Sequence, residues 1–149
     1  MLKMPEADQK TIGKRSTIAA ALRRIVPGEG VIETAREMSV YESDGLTAYR
    51  QLPLVVVLPK TTAEVAKVLR YAFENKIKVV LGLSKFNRVL EIDYENRCAV
   101  VQPGVTNLAI TNAVQHRGFY YAPDPSSQIA CTIGGNVAEN SGGVHCLKY

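Results

Sequence analysis

The pattern of hydrophobic and polar residues predicts a strand, a helix and a second strand in the middle of the chain. The run LVVVL at 54–58 is continuous, is rich in β-branched residues and ends at Pro59, which is typical of a strand buried on both faces. Thr61 and Glu64 have the spacing of a capping box. The residues that follow place one apolar stripe on a helix: Val65, Val68, Leu69, Ala72 and Phe73. Because Ile77–Val80 then begins a second strand, the unit suits a parallel pair joined by a right-handed crossover.

A hairpin and a further helix are predicted in the second half of the chain. Val89–Asp93 and Cys98–Gln102 have the composition of two strands around a four-residue turn. Thr106 or Asn107 can cap the helix that comes next, and Gly118 is a suitable residue to end it.

The first fifty residues are more polar and predict a helical or irregular arm. Ser16 can cap a helix that Pro27 stops, Thr34–Met38 predicts a short helix, and Ser43-Asp44-Gly45 is a turn signal. Residues 1–30 contain six Lys or Arg against three acids, within a net charge of +4. These basic residues are scattered, so they favour a solvated helix face over a surface for an anionic partner or membrane.

Composition excludes several kinds of protein. The chain has 149 residues, of which 46% are apolar and 21% charged, which is typical of a globular domain. No apolar run reaches the length needed to span a bilayer. The aromatic residues Phe119, Tyr120 and Tyr121 have no basic residues interleaved with them, which favours a core or pocket wall over a nucleic-acid surface. We therefore expect no nucleic acid partner and no direct insertion into a membrane.

The three cysteines, Cys98, Cys131 and Cys146, are odd in number and form no CxxC pair. This pattern favours free thiols in a reducing compartment, buried as small hydrophobic residues. His145 beside Cys146 is not a metal-ligand spacing, and His116 lies near the predicted end of a helix, where it suits the helix dipole. We therefore expect no metal site.

The stretch 123–143, PDPSSQIACTIGGNVAENSGG, is the richest in glycine and small polar residues. Gly134-Gly135 and Gly142-Gly143 have no Cβ, so a ligand can approach their backbone closely. A helix beginning near Asn136 would aim free N–H groups at the same place, which predicts an anion site. The alternative is a pair of loops with ordinary turn glycines, and composition alone leaves both interpretations open.

Four motifs carry a resemblance to a known family: QPGV at 102–105, PDPSS at 123–127, TIGGN at 132–136 and AENSGG at 138–143. Together they resemble the FAD-linked oxidases related to vanillyl-alcohol oxidase and para-cresol methylhydroxylase (PCMH), and among these the catalytic subunits of glycolate oxidases. The resemblance implies an α+β, or mixed α/β, fold: the N-terminal part of a PCMH-type FAD-binding domain, with a small sheet flanked by helices. Residues 51–149 would form this partial domain, preceded by the arm at 1–50.

The same resemblance implies a function and a set of cofactor contacts. Such enzymes oxidise a 2-hydroxy acid, for example glycolate or D-lactate, to a 2-oxo acid with hydride transfer to FAD. They work with partner oxidase subunits and are cytoplasmic, reaching the inner membrane through those partners. The resemblance assigns cofactor binding, but no catalytic or metal-binding role, to Pro103, Gly104, Val105, Pro123, Asp124, Pro125, Ser126, Ser127, Thr132, Ile133, Gly134, Gly135, Asn136, Ala138, Asn140, Ser141 and Gly142. For Asn136 and Asn140, turn and cap chemistry is the alternative.

One expected part of the family pattern is missing. The family has a second glycine-rich loop after the strand that corresponds to Ile77–Val80, where it wraps the pyrophosphate. Here Val80 is joined directly to Leu81-Gly82-Leu83, as if that loop were deleted, which predicts one long strand over 79–83. The chain also stops at Tyr149, before the rest of the domain and before any substrate domain.

Three hypotheses follow from the motifs and from the missing loop. The first is an FAD-linked 2-hydroxy-acid oxidoreductase, internally deleted and C-terminally truncated. The second is a non-catalytic remnant or interaction module, or one piece of a split flavoenzyme. The third is a nucleotide- or phosphate-binding module without redox chemistry. Because the loop is missing, we expect the isolated chain neither to retain FAD nor to oxidise a 2-hydroxy acid.

Overall fold

The chain divides into two compact units, Met1–Gly82 and Leu83–Tyr149. A computed structural model describes residues 6–43 and 49–143. The division does not coincide with the boundary expected near residue 50, because the early helices share a core with the strands that follow that residue.

The first unit combines short helices with a three-stranded sheet. Its elements are α1 (Gln9–Ile12), α2 (Arg15–Ile25), β1 (Val31–Ile32), α3 (Ala35–Met38), β2 (Val56–Val57), α4 (Thr62–Glu74) and β3 (Val80–Leu81). The strand order is β1-β2-β3, with β1 antiparallel and β3 parallel to β2. The predicted strand–helix–strand unit with parallel strands is therefore confirmed. The long strand predicted over 79–83 is wrong, since β3 has only two residues and the first unit ends at Gly82.

The core of the first unit is apolar. It contains Ile18, Ala19, Leu22, Val26, Val31, Val55, Val57 and Val68. The predicted cap of α4 is present, because the Thr61 hydroxyl accepts the N–H of Glu64 at 3.2 Å. The apolar stripe of α4 meets the core only in part: Val68 and Ala72 are buried, whereas Leu69 is 53% and Phe73 85% exposed.

The second unit contains a hairpin and two helices. Its elements are β4 (Val89–Asp93), β5 (Cys98–Val101), α5 (Asn107–Val114) and α6 (Ile133–Glu139). The two strands pair antiparallel, as predicted. Helix α5 is capped by Thr106, continues as one 3₁₀ turn and ends at Gly118 with φ +76°, again as predicted.

Side chains at the hairpin turn are held by local hydrogen bonds and ring contacts. The Asp93 carboxylate accepts the backbone N–H of Asn96 at 2.9 Å and its side-chain amide at 2.6 Å. These bonds hold the pKa of Asp93 below its usual value, the side-chain bond having the larger effect. The Arg117 guanidinium lies 4.5 Å from the Tyr94 ring centre. The His116 ring packs edge-on against Tyr94, at the helix end where it was predicted.

The predictions for the cysteines are confirmed only in part. Cys98 and Cys131 are free thiols, as expected. The expectation that they are buried is wrong for Cys98, which lies on an exposed strand of a two-stranded sheet. Cys146, with its neighbour His145, lies outside the described residues, as does part of the turn predicted at 43–45.

Candidate functional site

Two segments with predicted cofactor positions lie side by side in the second unit. The N–H of Ile133 donates to the carbonyl oxygen of Val105 at 2.9 Å, and the N–H of Gly134 donates to that of Pro103 at 2.8 Å. These antiparallel bonds join the QPGV turn to the TIGGN segment. The structure therefore brings together two motifs that lie about thirty positions apart in the sequence.

Helix α6 begins three residues earlier than the sequence predicted. Thr132 caps it, and its hydroxyl accepts the N–H of Gly135 at 3.3 Å. The start expected near Asn136 is wrong, because Thr132 caps the helix and both glycines lie in its first turn. The amides of Ile133, Gly134, Gly135 and Asn136 are consequently all bonded within the chain, the last to the carbonyl oxygen of Thr132 at 2.9 Å.

The start of α5 uses its amides in the same way. The N–H groups of Asn107, Leu108 and Ala109 donate to Cys131 O at 3.3 Å, Gln128 O at 3.1 Å and Thr106 Oγ1 at 3.2 Å. A helix start is a general anion site only while such amides are free. Neither α5 nor α6 offers that feature here.

Three glycines are required by contacts that the chain makes with itself. A Cβ at Gly134 would lie 2.9 Å from Pro103 Cβ and 3.0 Å from its carbonyl oxygen. One at Gly143 would lie 2.5–2.6 Å from atoms of Asp124, and one at Gly104 would lie 2.7 Å from two carbonyl oxygens. Gly135 differs, since a Cβ there would meet only the Thr132 hydroxyl, at 3.4 Å. Close packing within the chain thus accounts for these three glycines without a ligand.

Two buried asparagines connect the segments. Among the described residues, Asn107 (1% exposed) and Asn136 (8%) are the buried polar side chains. Asn136 Nδ2 donates to Asn107 Oδ1 at 2.8 Å, and Asn107 Nδ2 donates to the carbonyl oxygen of Pro123 at 3.3 Å. Ser141 Oγ donates to Asn136 Oδ1 at 3.4 Å. This amide network therefore joins the start of α5 to the PDPSS loop, the TIGGN helix and the segment after it.

Asn107 was missed as a site residue by the sequence analysis. It was considered only as a possible cap, whereas Thr106 takes that role. The signal was present: Asn107, Ile110 and Val114 fall at positions i, i+3 and i+7, which place all three on one buried helix face. A polar residue on such a face needs an internal partner.

The other predicted cofactor positions differ in their exposure. Pro123, Asp124 and Pro125 are half-buried, whereas Ser126 and Ser127 are exposed. Ala138, Asn140 and Ser141 are exposed and Gly142 is half-buried. Asn140 ends α6 with φ +50°, a left-handed conformation that asparagine tolerates well. This geometry agrees with the alternative given for Asn140 in the sequence analysis, namely turn and cap chemistry.

A family model described as an FAD binding domain matches residues 76–149. The chain belongs to this FAD-binding family through that segment. The glycolate oxidase subunit GlcD of Escherichia coli K12 is 47% identical over 155 residues, which cover 91% of this chain and 31% of the relative. GlcD of Bacillus subtilis is 38% identical (74% and 28% covered), and the mitochondrial D-2-hydroxyglutarate dehydrogenase of Bos taurus is 33% identical (87% and 27%). The chain thus spans about a third of the length of these FAD-family relatives.

Solved structures support the PCMH-type fold of this FAD-binding family. An alkyldihydroxyacetonephosphate synthase superposes with a TM-score of 0.75 at 16% identity, over 100% of this chain and 33% of that one. A p-cresol methylhydroxylase with substrate bound superposes with a TM-score of 0.68 at 20% identity, over 87% and 30%. At these identities the likeness shows the fold alone, and it confirms the predicted mixed helix-and-sheet class.

The alignments also measure what this chain lacks relative to its FAD-family relatives. The 155-residue match to the E. coli subunit covers 91% of 149 residues, about 136, so about 19 aligned positions have no counterpart here. The 130-residue match to the B. subtilis subunit covers 74%, about 110 residues, which leaves about 20. We expect such a loss after Val80, where the glycine-rich loop of the family is not found.

FAD, the cofactor of this family, fits the described residues only in part. Its pyrophosphate is anionic and needs cations or free amides. The segments 103–107 and 123–143 carry two charged side chains, Asp124 and Glu139, both acidic, and the helix-start amides are bonded internally. Small side chains and the glycine-rich backbone suit an uncharged flat ring better. These segments therefore fit one wall of a flavin site, but they offer the pyrophosphate neither a cation nor a free helix-start amide.

Proposed function

We propose that this chain is part of an FAD-dependent oxidoreductase that converts a 2-hydroxy acid, such as glycolate or D-lactate, to the 2-oxo acid. The observation that carries the proposal is the 47% identity to a glycolate oxidase subunit across 91% of the chain. Relatives named as D-2-hydroxyglutarate and D-lactate dehydrogenases support the same substrate class. When bound, FAD would accept the hydride from the hydroxyl-bearing carbon, while the hydroxyl proton leaves to a base.

The described residues of the chain would position the flavin rather than provide catalytic groups. Pro103, Gly104 and Val105, bonded to the start of α6, would form a rigid wall beside the flavin. The loop 123–127 would border it. Arg117, the one strong cation in 103–143, stacks on Tyr94 instead of standing among these segments. Groups that bind the substrate carboxylate would therefore come from residues that the relatives have beyond the matched third.

We further propose that the isolated chain retains no FAD and has no 2-hydroxy-acid oxidoreductase activity. The roughly twenty aligned positions without a counterpart, the internally bonded amides and the acidic charge of the site segments all support this. A family loop that wraps the pyrophosphate would have supplied free amides, whereas the amides at the starts of α5 and α6 are bonded internally.

A split flavoenzyme is a second candidate, favoured by exposed apolar side chains in the second unit. Leu90, Val100, Ile129 and Val137 are each more than half exposed, and exposed apolar residues mark an interaction surface where they form a contiguous patch. Another chain that supplied the missing segments would cover them and complete the site. A non-catalytic remnant would show the same exposure without such a partner.

The proposal includes partner oxidase subunits and an inner-membrane location that the chain reaches through them. The helices in the described part of the chain are too short or too polar to cross a bilayer.

A pair of chimeras tests the proposed function. Residues 76–149 of this chain would replace their counterpart in the E. coli glycolate oxidase subunit, once with the relative's extra segment restored after Val80 and once with the native junction. We expect the restored chimera to bind flavin and to reduce a dye with glycolate. The proposed function requires only that the wall residues of this chain hold the flavin as those of the relative do.

The native-junction chimera is the matched control for the missing segment. We expect it to fold without bound flavin and without glycolate-dependent dye reduction. Activity in neither chimera would contradict the oxidoreductase proposal. Full activity in both would show that the shortfall is harmless and would contradict the proposal that this chain cannot hold FAD.

A further inference from the structure

We propose that Asn107 is the positioning residue of this site: its side-chain amide fixes the PDPSS loop and the TIGGN helix in one arrangement before any cofactor binds. That the arrangement serves a flavin rests on the proposed function. The arrangement itself is a property of the chain and can be tested without FAD.

The position of Asn107 gives it access to two segments at once. It is the first residue of α5, and its N–H donates to the carbonyl oxygen of Cys131, just before the TIGGN segment. Its side chain points inward and is 1% exposed. The Nδ2 group reaches Pro123 O at the start of the PDPSS loop, while Oδ1 receives Asn136 Nδ2 from α6.

The hydrogen bonds of the network all run in one direction. Ser141 Oγ donates to Asn136, Asn136 Nδ2 donates to Asn107, and Asn107 Nδ2 donates to Pro123 O. The Cys131 thiol donates to Asn107 Oδ1 as well, at 3.4 Å. The residue at position 107 must therefore accept and donate simultaneously inside a buried site. Asparagine does both, whereas leucine does neither and an ionised aspartate only accepts.

A space-filling role is the competing explanation, and it makes a different prediction. If position 107 only fills volume, leucine should replace asparagine with little loss, because the two side chains have similar shape. If position 107 sets the arrangement, leucine leaves the buried side-chain amide of Asn136 and the half-buried carbonyl of Pro123 without their partner. Each such group costs about 1–3 kcal/mol, a 5- to 150-fold change in a local opening equilibrium.

Amide hydrogen exchange on the 149-residue chain distinguishes the two explanations. The reporters are the amides of Ile133, Gly134 and Ser141, whose acceptors are Val105 O, Pro103 O and Asn136 O. We expect Asn107→Leu to accelerate their exchange about tenfold or more. Ile110→Val is the matched control, since it trims the same buried face of α5 without touching the network. It should accelerate the three reporters much less.

Asn107→Asp adds a second measurement, the pH dependence of amide exchange, which a space-filling role would not change. A protonated carboxyl group can both accept and donate, so it can replace the amide at low pH but not after ionisation. We expect exchange at the three reporters, corrected for intrinsic rates, to be near wild type around pH 4 and faster at pH 7. The titratable neighbours are Asp124, next to Pro123, and the Cys131 thiol, and both are present in the wild-type chain measured alongside.

The outcomes decide the proposal. Faster reporter exchange in Asn107→Leu than in Ile110→Val, with rescue of Asn107→Asp at low pH, supports positioning by Asn107. Equal exchange in the leucine and valine variants overturns it. If Asn107→Leu unfolds the second unit, Asn107→Asp decides alone: a folded low-pH form supports the proposal, and loss of the fold at every pH overturns it. Absence of bound flavin in all variants would bear only on the proposed function.

Discussion

The two compact units are stabilised by different means. Among the described residues, the first unit buries a continuous apolar cluster from α2, β1, β2 and α4. In the second, the buried side chains are Phe86, Val105, Ile110 and Val114 together with the amides of Asn107 and Asn136. Apolar packing is non-directional and tolerates small shifts, whereas a buried amide pair fixes distance and orientation. The comparison indicates that the first unit supplies stability and that the second holds segments in defined places.

Leu22→Ala should give the largest effect, confined to the first unit. Leu22 is fully buried among apolar side chains, and truncation at such a site costs about 2–5 kcal/mol. Chemical denaturation followed by residue-resolved spectra should show earlier unfolding of the first unit. Arg24→Ala, an exposed change on the same helix, is the control and should leave the midpoint unchanged. If Leu22→Ala destabilised the second unit equally, the two units would not be stabilised separately.

Gly134→Ala should destabilise the second unit by an intermediate amount. The added Cβ would collide with Pro103 Cβ and its carbonyl oxygen, and overpacking of this kind costs about 1–3 kcal/mol. The melting temperature of the second unit measures the effect.

Gly135→Ala is the matched control for that change. Its Cβ would meet only the Thr132 hydroxyl at 3.4 Å, and alanine is the better helix former by about 0.5–1 kcal/mol. We expect unchanged or slightly raised stability. Equal destabilisation by the two substitutions would show that something other than the close approach to Pro103 requires glycine there.

Asn96→Ala should give the smallest effect, at the hairpin turn. It removes the side-chain hydrogen bond that is the largest cause of the lowered pKa of Asp93, so that pKa should rise toward its ordinary value. Since the folded pKa is lowered, the stabilisation exists above the unfolded-state pKa and is lost as pH falls through the folded value. A carbon-detected titration of the Asp93 carboxyl group measures this, with Glu95→Gln as a neutral neighbour control. An unchanged pKa would contradict the assignment.

Sequence patterns predicted the local elements well, since local signals decide them. The Thr61 cap, the hairpin and the Gly118 helix end depend on residues close in the chain. The parallel pair of β2 and β3 joins more distant residues, but the strand–helix–strand pattern between them predicted it. The long strand over 79–83 failed because a run of apolar residues does not show where a strand loses its partner.

The geometry of the site was less predictable. Four motifs indicated the FAD family, but the use of the helix-start amides depends on pairing between residues about thirty positions apart. The same holds for Asn107, whose partners lie 16 and 29 positions away. The glycines at 134 and 143 were attributed to ligand approach, whereas the structure shows contacts with Pro103 and Asp124 that only the folded chain can reveal.

The visible absorption spectrum of the purified chain tests the central claim most directly. The chain would be incubated with excess FAD, separated from free cofactor by gel filtration and measured across the flavin bands. The wall formed by the QPGV turn and the TIGGN helix carries no cation and its helix-start amides are bonded internally, so we predict a protein peak without flavin absorbance. A stoichiometric flavin spectrum in the protein peak would contradict the account.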